Sequence, residues 1–184
     1  MFTSTVSNSG SSRGKACCPT ASTVDSTPTK SSATAWCDAV QTLLEVVTLP
    51  VSDPDASIRF YRDAVGFTLD VDYSPTPNFR VVQLTPPGSS TSIQFGSVGP
   101  HAPLCGLYLV VADVAAFRDE LIGRGVLVGG LRHKEAADGW RGSFLPGVDA
   151  DRADYASFAD FSDPDGNRWV LQERGHVNPG RFQP

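Results

Sequence analysis

One pattern occurs twice in this chain: a strand, a helix begun by a capping aspartate, and then three further strands. In the first copy LLEVVTLPVSD (43–53) reads as a strand, and Asp53 followed by Pro54 starts a helix with a cap and a first-turn proline where each is favoured. Ala56, Phe60, Tyr61 and Ala64 form its apolar stripe, Gly66 stops it, and FTLDVDY (67–73) returns to strand. In the second copy GLYLVVAD (106–113) ends at Asp113, sixty residues after Asp53; Val114, Phe117 and Leu121 form the stripe, Gly125 stops it, and VLVGGL (126–131) is extended. Each copy closes with two strands around a turn, FRVVQLT and TSIQFG around PPGSS, then YASFADF and NRWVLQE around SDPDG. A duplicated unit of this kind predicts an α+β fold: two sheets that pack or curl together, each with a helix over its outer face, leaving a concave inner surface.

The remaining organisation follows from composition. Residues 1–40 are expected as a disordered Ser/Thr-rich tail, because the first 35 hold sixteen Ser or Thr and no apolar period. The same composition also fits an organellar transit peptide. Residues 41–100 are the first module, 101–176 the second, and 177–184 a C-terminal tail. Within the second module, 133–154 lacks periodicity and is expected as a long lid loop, with Trp140 as the aromatic that closes over a ligand or anchors the loop. His133 is the lid's histidine and a candidate general base.

Several function classes are excluded by what is missing. A net charge of −5 gives no footprint for nucleic acid, and no apolar run is long enough to span a bilayer. The expectation is a soluble, cytoplasmic protein. Cys17 and Cys18 are adjacent, without the spacing of a zinc site, and there is no nucleophile elbow, P-loop, dinucleotide fingerprint or H-E-x-x-H. The acids of VSDPD and SDPDG are read as a helix cap and a turn.

The phrases LPVSDPDASIRFYRDAVGF, FRVVQLTPPGSSTSIQFG, GLYLVVADVAAFRDELIGRGV and FADFSDPDGNRWVLQE, in this order and spacing, resemble the vicinal oxygen chelate superfamily, which includes glyoxalase I, extradiol dioxygenases and bleomycin-binding resistance proteins. The resemblance covers residues 43–174. It implies two βαβββ modules forming a curled mixed sheet around a cavity, and it makes a homodimer a candidate assembly. It also implies a divalent ion held by His, Gln or Glu from four strands. The matching positions here are Val46, Gly106, Gln94 and Val170. Three of them have no side-chain donor, so neither a metal nor another cofactor is expected.

Strand parity then proposes the lining. Thr48 (with Val46), Gln94 (with Ser92), Tyr108 (with Val110), and Arg168 and Gln172 (with Val170) face one way. Arg80 and Val82 join them if the PPGSS hairpin has an even register; an odd shift reverses the assignment. Gln94 and Gln172 either touch a ligand or bond neighbouring backbone; Tyr108 is a ligand contact, an acid or a solubilising hydroxyl; Arg168 is an anion clamp or a surface charge. No catalytic residue is identified. The expected function is metal-independent binding of a small molecule. The alternative is a metal-independent isomerase, cyclase or lyase, with a metal-dependent lyase or dioxygenase behind both.

Overall fold

A computed structural model describes residues 42–96, 102–135 and 142–181. All belong to one compact unit, Gln41–Pro184. The expected tail 1–40 and Trp140 lie outside the described residues.

The first module runs β1 (Val46–Thr48), α1 (Pro54–Ile58), β2 (Thr68–Thr76), β3 (Phe79–Thr85) and β4 (Ser92–Gly96). Asp53 caps α1 as expected, its carboxylate accepting from the Asp55 and Ala56 N–H at 3.0 and 3.1 Å. The helix continues as a π-helical stretch, Arg59–Val65, and stops at Gly66, whose φ of +92° is left-handed backbone that glycine adopts without strain. The second module runs β5 (Leu107–Val111), α2 (Val114–Gly123), β6 (Arg132–Lys134), β7 (Phe144–Pro146), β8 (Ser157–Ser162) and β9 (Arg168–Glu173). Asp113 caps α2 in the same way, at 3.0 and 2.9 Å from Ala115 and Ala116.

The fold is α+β, as expected. One sheet has the order β1-β4-β3-β2 and the other β5-β9-β8-β6-β7, and neither is closed into a barrel. In each, the first strand runs parallel to the last. Two expectations change in the second module. VLVGGL makes only an isolated bridge, Val128 to Phe161, and the regular strand comes later, at 132–134. Gly129 and Gly130 offer no side chain to pack, and the run along β8 slips by one residue between the Val128 bridge and the Arg132–Phe158 pair. The stretch expected as one lid loop therefore contains strand: β6 pairs with β7 through Arg132–Pro146, His133–Leu145 and Lys134–Phe144.

A single apolar cluster joins both sheets. Val82, Leu84, Ile93 and Phe95 come from the first, and Ala159, Phe161, Trp169 and Leu171 from the second. Tyr61 stands between them, 6.1 Å from the Phe95 ring and edge-on to Trp169 at 6.0 Å. Side chains alternate along a strand, so the face of each sheet opposite this core looks away from it.

Candidate functional site

These open faces carry most of the expected site residues. On the first sheet, Thr48 pairs with Gln94, and Gln94 with Gln83 on β3. Gln83 donates to Ser92 at 3.1 Å, and the Ser92 hydroxyl meets Thr85 at 2.7 Å. The Gln94 amide has no hydrogen bond among the described residues.

Arg80 is not on this face. Val82 pairs with Phe95, so the hairpin has the odd register, and Val82 and Arg80 turn to the core side. There Arg80 is held by Asp72 at 2.8 and 2.9 Å and by Asp55 at 2.8 Å. These hydrogen bonds, and then the guanidinium charge, keep the Asp72 carboxyl below the usual carboxylate range. Arg80 is thus a structural tie between hairpin and helix.

On the second sheet, Tyr108 pairs with Val170 and Val110 with Gln172. The β8 register continues the same face: Phe158 lies opposite Gln172, Asp160 opposite Val170, and Ser162 opposite Arg168. Tyr108 and Val110 are 57% and 39% exposed, an unusual state for apolar side chains in mid-strand. Arg168 and the Tyr108 hydroxyl have no partner among the described residues, whereas the Gln172 amide donates to the Tyr155 carbonyl at 3.3 Å. The structure thus groups Tyr108, Arg168 and Gln172 on one sheet and Thr48 and Gln94 on the other. No hydrogen bond or ring contact joins the two groups among the described residues.

Five residues of the second face escaped the sequence reading. Arg132 is held by Asp160 through both guanidinium nitrogens, one of them at 3.0 Å, and lies 4.8 Å from the Phe144 ring centroid and 5.7 Å from that of Phe158. Lys134 Nζ sits 4.1 Å over the Phe144 ring and donates to the Gly142 carbonyl at 2.9 Å. Alternation in YASFADF was a usable signal for Phe158 and Asp160. Arg132 and Phe144 sit in three-residue strands whose sequence gives none. His133, on the opposite side of β6 from Arg132, has Nδ1 at 3.1 Å from the Gly147 carbonyl oxygen, where it anchors the β7 end.

The four positions implied for a metal offer little. Val46 and Val170 are hydrocarbon, and Gln94 is a neutral amide. A Cβ at Gly106 would meet nothing within 4 Å. The described residues do contain one cluster of ligand types, Asp113, Glu173 and His176. Arg152 already occupies it, bonded to fully buried Glu173 at 2.7 Å and to Asp113 at 3.0 Å. The acids of SDPDG are also structural: Asp163 accepts from the Asp165 and Asn167 N–H at 3.0 and 2.8 Å, closing the turn.

A cavity of about 420 Å³ lies elsewhere, between the end of the first module's helix and β5–α2, lined by Val65, Phe67, Pro86, Leu109 and Phe117 among others. It shares Val110 with the open face. Both of its carboxylates are spent, Asp113 on Arg152 and Glu120 on Arg124, so it has shape without orienting groups.

The sequence pattern of the Glyoxalase/Bleomycin resistance protein/Dioxygenase superfamily matches residues 43–171. Among solved structures the chain is similar to TnmS3, an antibiotic binding protein from Streptomyces sp. CB03234, at 32% identity and TM-score 0.54, covering 72% of this chain and 96% of that one. A glyoxalase/bleomycin resistance protein from the same organism matches at 31% identity and TM-score 0.53, covering 71% of this chain and all of that one (100%). A member of the superfamily from Sphaerobacter thermophilus DSM 20745 matches at 26% identity and TM-score 0.55, covering 73% and 98%. None of the curated proteins matches the chain. Among the described residues no helix is long and apolar enough to cross a membrane.

Proposed function

The chain belongs to the glyoxalase/bleomycin resistance protein/dioxygenase superfamily, and from that premise we propose that it is a metal-independent small-molecule binding protein. The observation that carries this reading is the second sheet's open face, where exposed Tyr108 and Val110 stand beside Val170 with the Tyr108 hydroxyl and Arg168 unspent. An apolar floor with a few unsatisfied polar groups is the usual make-up of a ligand surface. The antibiotic-binding relative in Streptomyces supports the same reading.

Metal independence rests on donor chemistry. Two valines, a glycine and one amide cannot offset the dehydration of a divalent ion, so the residues present do not fit one. Tight ligands usually lose most of their surface to the protein, and a single open face cannot enclose one. We therefore include a homodimer in the proposal, with the second sheet's open face covered by the first sheet's open face of the partner.

The test is a thermal-shift screen of antibiotics and metabolites, followed by product analysis for each stabilising compound. Stabilisation with the compound recovered unchanged is the expected result, and a new product would replace binding with catalysis. Elemental analysis should find no stoichiometric transition metal; one tightly bound equivalent would overturn metal independence.

A further inference from the structure

We infer that the second sheet's open face takes a planar aromatic compound carrying an acidic group, with Arg168 as the anion anchor. This rests on the small-molecule reading above and narrows it to a chemical class.

Charge is the first argument. The strands of this face supply three cations, Arg132, Lys134 and Arg168, against one acid, Asp160, in a chain whose net charge is −5. Screening limits the reach of the distant acidic surface to about 8–10 Å, so the local excess governs what settles here. Asp160 is fully engaged by Arg132 through both carboxylate oxygens. Arg174, just beyond β9, lies over the Tyr155 ring at 5.7 Å. Arg168 alone of these three arginines has neither a carboxylate nor a ring beside it among the described residues.

Space is the second argument. Across the sheet Arg168 is flanked by Ser162 on β8, and its backbone N–H bonds the Leu104 carbonyl at 2.8 Å, which brings Gly106 alongside. Both neighbours are small, and the space a Gly106 side chain would fill is open. The guanidinium can therefore reach out of the sheet and bind a carboxylate, sulfonate or phenolate in the two-pronged geometry that a planar fork favours.

Surface shape is the third. Val170 is two residues along β9 on the same face, with Tyr108 directly beside it and Val110 next on β5. These make a flat apolar floor running away from the cation. A ring system lying on Val170 and Val110, against the Tyr108 ring, puts a substituent at its edge within the reach of Arg168. An aliphatic acid would satisfy the cation but would leave the aromatic edge of Tyr108 unused.

The experiment uses two dyes that share a ring system: 8-anilinonaphthalene-1-sulfonate, which is anionic, and N-phenyl-1-naphthylamine, which lacks the sulfonate. Fluorescence titration of the full chain is expected to show the anionic dye binding at least about tenfold more tightly, a step of about 1.4 kcal/mol. Arg168→Gln should erase that preference and leave the neutral dye unchanged. Arg59→Gln, on the exposed side of the helix, should change neither. Equal binding of the two dyes, or a preference that survives Arg168→Gln, overturns the anion anchor while leaving small-molecule binding in place. If neither dye binds, this inference falls, and the small-molecule reading is decided separately by the thermal-shift screen.

Discussion

The Tyr61 phenol donates a 2.7 Å hydrogen bond to the Asp163 carboxylate, and so ties the first module's helix to the turn between β8 and β9. The same oxygen accepts from the Trp169 indole N–H at 3.1 Å. Asp163 also accepts from the Asn167 side-chain amide at 2.7 Å, which in turn donates to the Pro50 carbonyl at 2.9 Å. Burial and the adjacent Asp163 carboxylate push the Tyr61 hydroxyl well above its ordinary pKa, so it remains a donor at any working pH. Tyr61→Phe removes a bond to a charged acceptor and orphans the Trp169 N–H, with no change in core volume. The expected cost is about 2–3 kcal/mol in urea unfolding, with ligand affinity unchanged because Tyr61 faces the core. A loss below about 0.5 kcal/mol would show that the Tyr61 bond adds nothing to the ties between the two modules.

Asp113 gives a pH-dependent prediction. The Ala116 N–H first, and then Arg152, hold its carboxyl below the usual carboxylate range. A depressed folded value means that the unfolded chain binds the proton more tightly. The contribution is therefore complete above the unfolded value of about 4 and is lost as pH falls through the folded one. Asn caps a helix nearly as well as Asp, so Asp113→Asn isolates the charge. Wild type should exceed the variant throughout pH 5 to 7, by less than about 1 kcal/mol because the side chain is 38% exposed and screened. The margin should shrink below pH 4 in denaturant titrations, and one that widens there would reverse the sign of the argument.

Gly96 ends β4 under a backbone constraint that its neighbours reveal. A Cβ at this position would lie 1.8 Å from the Arg80 carbonyl oxygen, which no rotamer can relieve. Gly96→Ala must therefore open the β3–β4 ladder, at a cost above about 3 kcal/mol or with loss of soluble protein. Gly88→Ala is the control: its φ of +76° carries strain, but nothing lies within 4 Å, so about 1–2 kcal/mol is expected. Equal effects at the two glycines would mean that the sheet yields at Gly96.

The caps were legible in the sequence because they are local: Asp53, Pro54 and Gly66, and Asp113 and Gly125, need only residues a turn away. The grouping of Tyr108, Arg168 and Gln172 was legible for a related reason, since each strand alternates and SDPDG fixes how β8 and β9 meet. Arg80 shows where that logic stops. Its face depends on the parity of a hairpin register set by how PPGSS closes, and one residue of shift moved it from the open face to an ion pair with Asp72. Arg132 and Phe144 were invisible because three-residue strands carry no period. The Tyr61–Asp163 bond spans 102 residues, and nothing local in either segment announces it.

Val110 allows the open face to be tested apart from stability. Its side chain is outside the core cluster and stands opposite Gln172, next to Tyr108. Val110→Asp therefore costs the fold little, about 0.5 kcal/mol, but puts a carboxylate where an acidic aromatic compound would lie and where a partner would pack. Dye affinity and self-association, followed by fluorescence and by sedimentation velocity, should both fall while the thermal midpoint stays. Gln94→Ala, on the other sheet, should weaken the dye without weakening the fold if the two open faces meet across a dimer. In that arrangement a mixed dimer of Val110→Asp and Gln94→Ala chains has one site with both changes and one with neither. Mixing the two variants should then restore tight binding to the unaltered site of each mixed dimer. Full affinity in Val110→Asp alone would remove this face from the site, and a failure of mixing to restore binding would place Gln94 and Val110 in separate sites.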